Sequence, residues 1–241
     1  MKSFVYVVTF ITLVLLSGCM SNKSLPSSTN ALVTPEQFAK AFSLVDDVKT
    51  YVPFNEPGIC FARALFMSLA LAAEEIPSSA HFVFPRDGRG HLNGPNGLKW
   101  KYHVGMMIKA NDSSEKMIFD PALNDGPLVD YKWIEKMTSK PTRTLLKPGS
   151  VYARDVLNSG DESWDYIRSF EEMPKFKQAD IENACEMIER FQSLIPGVNI
   201  ANAREKLHKE TIRFSNRMKQ LGKLEWGNLS EGVIYCGRKK I

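Results

Sequence analysis

The chain has 241 residues, a net charge of +4 and a hydrophobic fraction of 44%. Less a leader, that length holds one medium domain, or a domain with an appendage, and the composition excludes a largely disordered chain. Both charge signs are interspersed, with no long basic block and no basic–aromatic interleave, so nucleic acid is not an expected partner.

The first element is a leader. Lys2 supplies a positive start, Phe4 to Leu16 is almost wholly apolar, and the small residues Ser17 and Gly18 precede Cys19. The apolar stretch is too short to span a bilayer comfortably and reads as a signal peptide over residues 1–18. "LSGC" (Leu16 to Cys19) resembles the lipobox of bacterial lipoproteins. That resemblance implies cleavage before Cys19 and lipidation of its thiol, with palmitate or a similar chain holding the protein on a membrane. A plain secretory signal with an incidental cysteine is the alternative. Met20 after the cysteine resembles outer-membrane sorting in a Gram-negative cell. The expected place is therefore the bacterial cell envelope: lipid-anchored, at the outer membrane or cell surface, with the periplasmic face open. Residues 19–33, rich in Ser and Asn, form the expected flexible tether.

A helix is predicted from Pro35 to Asp46. Thr34 is a good N-cap, Pro35 suits the first turn, and Gln37 completes a capping box. A Pro57-Gly58 break then leads to Cys60, which opens a run to Glu75 that is apolar on nearly every face. That run predicts a central buried helix. A thiol at a helix start meets unpaired N–H groups and the positive end of the dipole, which favour the thiolate and can bind an oxyanion. A buried structural cysteine is the alternative. Cysteine arithmetic bears on the choice. The four are Cys19, Cys60, Cys185 and Cys236. With Cys19 lipidated and the compartment oxidising, Cys185 and Cys236 can pair, or stay as separate thiols; if they pair, Cys60 is left unpaired.

Ala80 to Phe84 reads as a strand, and Pro85 to Lys99 as a Gly- and Pro-rich loop. From Trp100 to Ile108 the chain alternates. Trp100, Tyr102, Val104, Met106 and Ile108 take one face; Lys101, His103, Gly105 and Met107 take the other. His103 can then face a cleft, with room beside it at Gly105, or face solvent. Lys109 to Glu115 is a turn, and Lys116 to Pro121 a second strand. A hairpin centred between Asn111 and Asp112 sets His103 directly opposite Asp120, with Cβ atoms about 5 Å apart. Asp120 can then accept the His103 Nδ1–H and stabilise the charged ring. Beyond Gly149 the pattern turns helical. Gln178 to Ile195 and Asn202 to Gly222 are amphipathic, the latter closed by Gly222. Helices, then strands, then helices favour an α+β class. His81, His91 and His208 show no ligand spacing, and HExxH, P-loop and dinucleotide motifs are missing, so neither metal nor cofactor is expected.

A helix-opening Cys, a strand His and a strand Asp resemble the arrangement of papain-like and transglutaminase-like folds. The wording extends the likeness. "CFARA" (Cys60 to Ala64), "WKYHVG" (Trp100 to Gly105), "IFDPAL" (Ile118 to Leu123) and "PLVDYKWIEKM" (Pro127 to Met137) resemble the bacterial protein-glutaminase family. That resemblance implies Cys60 as nucleophile, His103 as base and acid, and Asp120 as orienter. It implies protein or peptide substrates bearing exposed glutamine, deamidated through a thioester without cofactor. It also implies a papain-like core, a central buried helix on a small antiparallel sheet, as a catalytic domain over residues 34–149. Residues 150–241 form a mostly helical C-terminal region outside the likeness. Secreted members resemble proenzymes, whereas only Met20 to about Leu32 stands before the first helix here, so restraint of activity is expected elsewhere. Arg63, one turn after Cys60, either joins a buried pair or reaches solvent. Trp100, Tyr102 and Trp133 are expected in the core. A transglutaminase or peptidase with the same triad, or an inactive partner-binding lipoprotein, stays open.

Overall fold

The computed structural model describes residues 33–54, 58–86, 90–109, 115–140, 142–151, 167, 169–226 and 236. The signal peptide, Cys19, nearly all of the tether, Pro57 and the hairpin tip lie outside the described residues.

The first helix, α1 (Pro35–Val48), starts as its capping box dictates: Thr34 and Gln37 exchange side-chain and backbone hydrogen bonds. The second, α2 (Cys60–Ala73), buries every residue except Phe61, which is half-buried. A helix apolar all round can only be central, and α2 is. One side meets the strands; the other meets two later helices, α4 (Gln178–Phe191) and α5 (Ile200–Gln220).

The strands β1 (Ser79–Pro85), β4 (His103–Lys109), β5 (Lys116–Phe119), β6 (Leu128–Val129) and β7 (Thr142–Pro148) make one antiparallel sheet, in the order β6-β5-β4-β1-β7. Its first face carries Ala80, Phe82, Val104, Met106, Ile108, Phe119 and Leu145 into the main core with α2. Its second face is buried too. Val83, Met107 and Ile118 pack with Trp133 and Met137 of α3 (Asp130–Met137), and with Leu92 and Trp100 from a short ribbon, β2 (Leu92–Asn93) with β3 (Lys99–Trp100). The α+β class and the papain-like core, a central helix on an antiparallel sheet, are present.

Three expectations change. The loop from Pro85 to Lys99 holds the β2–β3 ribbon around a 3-10 turn, Pro95–Gly97. Two-residue strands are too short to show a period. The strand from Trp100 to Ile108 breaks at Lys101 and Tyr102, so Trp100 leaves the Tyr102–Val104 face for the opposite one. The hairpin register is Met106 to Phe119 and Met107 to Ile118. Continued, it sets Gly105 opposite Asp120, two residues from the expected partner His103. A slip of two keeps every side chain on its face, where a slip of one would have reversed them.

In the C-terminal region α4 and α5 lie where their periodicity puts them, and Gly222 closes α5 with φ of 66°. A parallel pair, β8 (Phe176–Lys177) with β9 (Leu224–Glu225), ties the start of α4 to the end of α5. Among the described residues no helix is long and apolar enough to cross a membrane.

Candidate active site

Cys60 is the first residue of α2, preceded by the N-cap Ile59, which makes no side-chain cap bond. The first N–H groups of a helix lack partners within it, so the start of α2 sets such donors near Cys60. Cys60 is the free cysteine of the described residues and is buried.

His103 opens β4 and has no exposed surface. Its Nε2 lies 2.7 Å from Asp120 Oδ2. The expected contact through Nδ1 is therefore corrected to Nε2. Nδ1 is left as a buried nitrogen with no hydrogen-bond partner among the described residues. The Cys60 side chain lies close enough to the same imidazole to help raise its pKa. With Nε2 engaged by Asp120, Nδ1 is the nitrogen that remains for the sulfur. The Trp100 ring stacks on His103 at 4.0 Å and 8°. Gly94 makes that possible, since a Cβ there would lie 2.5 Å from the Trp100 ring.

Asp120 follows directly on β5. Its Oδ2 also accepts from Trp133 Nε1 at 2.8 Å, and its Oδ1 accepts from the Ala122 N–H at 3.2 Å. Trp133 reaches it over Gly105, where an added Cβ would lie 2.6 Å from Ile118 and 2.9 Å from the Trp133 ring. The room beside His103 is thus filled by an indole. Sequence reasoning placed Trp133 in the core but missed its donation to Asp120, because nothing in a sequence shows which carboxylate an indole N–H meets.

The charges follow from these contacts. Burial opposes a charged His103, but the Asp120 charge and hydrogen bond, helped by Cys60, push its pKa up to about 9. Burial likewise opposes a charged Asp120. The His103 charge and bond, the Trp133 bond and the Arg63 charge outweigh it and hold the carboxyl below its usual range. Arg63 thus settles on the buried side: it is enclosed, its Nη1 donates to the Pro53 carbonyl at 3.4 Å, and its guanidinium lies over Phe54. His81, across the strand from Gly105, packs edge-on against Trp133. Burial pushes its pKa down to about 4, so it is neutral near pH 7.

Residues 38–137 match a family model described as glutaminase. That part of the chain is similar to the glutaminase family. Cys60, His103, Asp120 and Trp133 all fall inside it. The glutaminase family is one of amidohydrolases. Among solved structures, a crystal structure of protein-glutaminase is 22% identical, with a TM-score of 0.51, over 73% of this chain and 95% of that one. A mutant of pro-protein-glutaminase gives 21%, 0.50, 73% and 66%. The protein-glutaminase of Chryseobacterium proteolyticum gives 21%, 0.48, 72% and 98%. At these identities the first two likenesses speak to the fold alone. Comparison with curated proteins gives no match.

Outside the glutaminase segment, Cys185 and Cys236 are joined in a disulfide, with Cα atoms 5.4 Å apart. His208 lies with them, the three ligand atoms within 4.8 Å of one another. Two sulfurs joined to each other are not the thiolates that a metal takes from cysteine.

Proposed function

We propose that this protein is a protein-glutamine deamidase, converting glutamine side chains of proteins or peptides to glutamate with release of ammonia. The observation that carries it is the hydrogen-bonded order at His103: Nε2 held by Asp120, Nδ1 left for the Cys60 thiol at an uncapped helix start. With its raised pKa, His103 is protonated at neutral pH, and a thiolate beside it is stabilised as its counter-ion.

Cys60 Sγ attacks the carboxamide carbon. The N–H groups at the start of α2 stabilise the oxyanion. His103 gives its proton to the departing nitrogen, ammonia leaves, and a thioester remains. The now neutral His103 takes a proton from water, the hydroxide adds to the thioester carbon, and Cys60 leaves as thiolate. The sum is amide plus water to carboxylic acid plus ammonia. Asp120 keeps the ring oriented and its charged form stabilised throughout.

By the same proposal Cys19 carries the lipid, and the domain works from the surface of a bacterial envelope membrane. The support is the "LSGC" resemblance alone.

The test is ammonia release from a glutamine-rich unfolded protein by the chain without its leader, with product masses read in parallel. Deamidation without cleavage is expected, and Cys60→Ala is expected to abolish it while the fold persists by circular dichroism. Peptide fragments would move the reading to a peptidase, and lysine crosslinks to a transglutaminase. Ammonia release that survives Cys60→Ala would remove Cys60 from the mechanism.

A further inference from the structure

Beside the triad lies a feature the chemistry above does not use. The end of β1, the β2–β3 ribbon and the segment after α3 enclose a cleft of about 820 Å³. Arg86, His91, Lys99 and Lys140 line it, all exposed, and none of the described lining residues is acidic. Lys99 is held in place by Asn93 Oδ1, 2.5 Å from its Nζ. In a chain whose charges are otherwise interspersed, a cleft walled on one side of the charge balance concentrates field lines and favours anions.

The cleft is also near His103. Val83 is the cross-strand partner of His103, and Pro85, on the cleft wall, is two residues further along β1. Leu92, on the same wall, pairs with Trp100, whose ring stacks on His103. From strand spacings the wall begins roughly 10 Å from His103. An extended peptide covers that in about three residues.

We propose that this cleft binds acidic side chains flanking the target glutamine, so that the preferred substrates are acidic, extended protein segments. The inference rests on the deamidase reading of the triad. Carboxylates three or so residues from the glutamine meet Arg86, Lys99 and Lys140 while the glutamine lies at Cys60.

Two peptides of equal length test it, each with one glutamine, flanked three residues away by paired glutamates or by paired lysines. The acidic peptide is expected to show a KM about tenfold lower at similar kcat, with the gap closing as salt is raised. The double variant Arg86→Glu, Lys140→Glu is expected to reverse the acidic-to-basic ratio of kcat/KM, a reversal that partial misfolding does not produce. Equal KM values for the two peptides, or a ratio untouched by the double variant, overturn the proposal. A second arm measures binding of both labelled peptides to Cys60→Ala protein by fluorescence anisotropy. If no ammonia is released from either peptide, the deamidase reading fails, and this arm alone decides the cleft. Tighter binding of the acidic peptide, lost on charge reversal, supports it; equal binding overturns it.

Discussion

At the scale of single residues, His103 carries two consequences that can be measured. On the proposed mechanism its proton goes to the leaving ammonia, so acylation is expected to fall as pH rises through its raised pKa, near 9. The Asp120 charge is the main cause of that rise. Asp120→Asn should therefore move the alkaline limb of the kcat/KM profile to lower pH, besides lowering kcat, and a limb that stays put would separate Asp120 from His103. Stability is tied to the same groups. A raised His103 pKa stabilises the fold fully below about pH 6.5, and that contribution is lost as pH climbs toward 9. His81 runs the other way. Its pKa of about 4 leaves its contribution intact above about pH 6.5 and removes it as pH falls toward 4. The lowered Asp120 adds to the acid loss, since its contribution is present above the usual carboxylate range and disappears as pH falls through its folded value. Denaturation midpoints against pH should peak near 6.5. His81→Phe should flatten the acid side and leave the alkaline side in place.

At the scale of elements, the decisive pieces are α2 and the β4–β5 pair. The all-round apolar run from Cys60 made α2 legible, because no other position in a small domain buries every face of a helix. The His103–Asp120 pair was legible only as a shared face. Alternation places both residues on one side of the sheet, but register depends on the turn, and the observed pairing differs by two residues from the one predicted. The contact survives because Asp120 sits just past the end of β5, where the chain can bend it back toward His103. Gly105 is the gap through which Trp133 reaches Asp120. Gly105→Ala should cost about 1–3 kcal/mol from overpacking against Ile118 and Trp133. It should also lower kcat, as the indole is pushed off the carboxylate. Urea denaturation and steady-state kinetics on one preparation check both; a stable variant with unchanged kcat would leave Trp133 a packing residue only.

At the scale of the whole molecule, the C-terminal helices are part of the core rather than an appendage. They cover the side of α2 turned away from the sheet, and Phe214 of α5 meets Phe66 of α2 edge-on. Gln192, after α4, donates to the Tyr51 carbonyl ahead of α2 and to the Ala203 carbonyl of α5. The Cys185–Cys236 disulfide closes a long loop, with a sequence separation of 51, over this region. Cys236→Ala should cost about 2–4 kcal/mol by the chain-entropy account. Thermal melts should then show the wild type dropping to the variant's midpoint when a reductant is added, with the variant itself unmoved. In the native fold Cys60, His103 and Asp120 are 6%, 0% and 4% exposed, so on the proposed mechanism a substrate amide needs a path opened to the thiol before it reacts.

The residue pattern alone determined the identity of the chemical groups and the elements that carry them. A thiol heads an apolar helix, and a histidine and an aspartate share a strand face, because helical and strand periods are local properties of the chain. Only tertiary structure decided which histidine nitrogen meets the carboxylate, that Trp100 and Trp133 flank the pair, that Arg63 turns inward, and that Arg86, Lys99 and Lys140 wall one cationic cleft. Those outcomes depend on packing between segments far apart in sequence, where a kink at Lys101 or a two-residue shift in register changes which atoms touch without changing any local pattern.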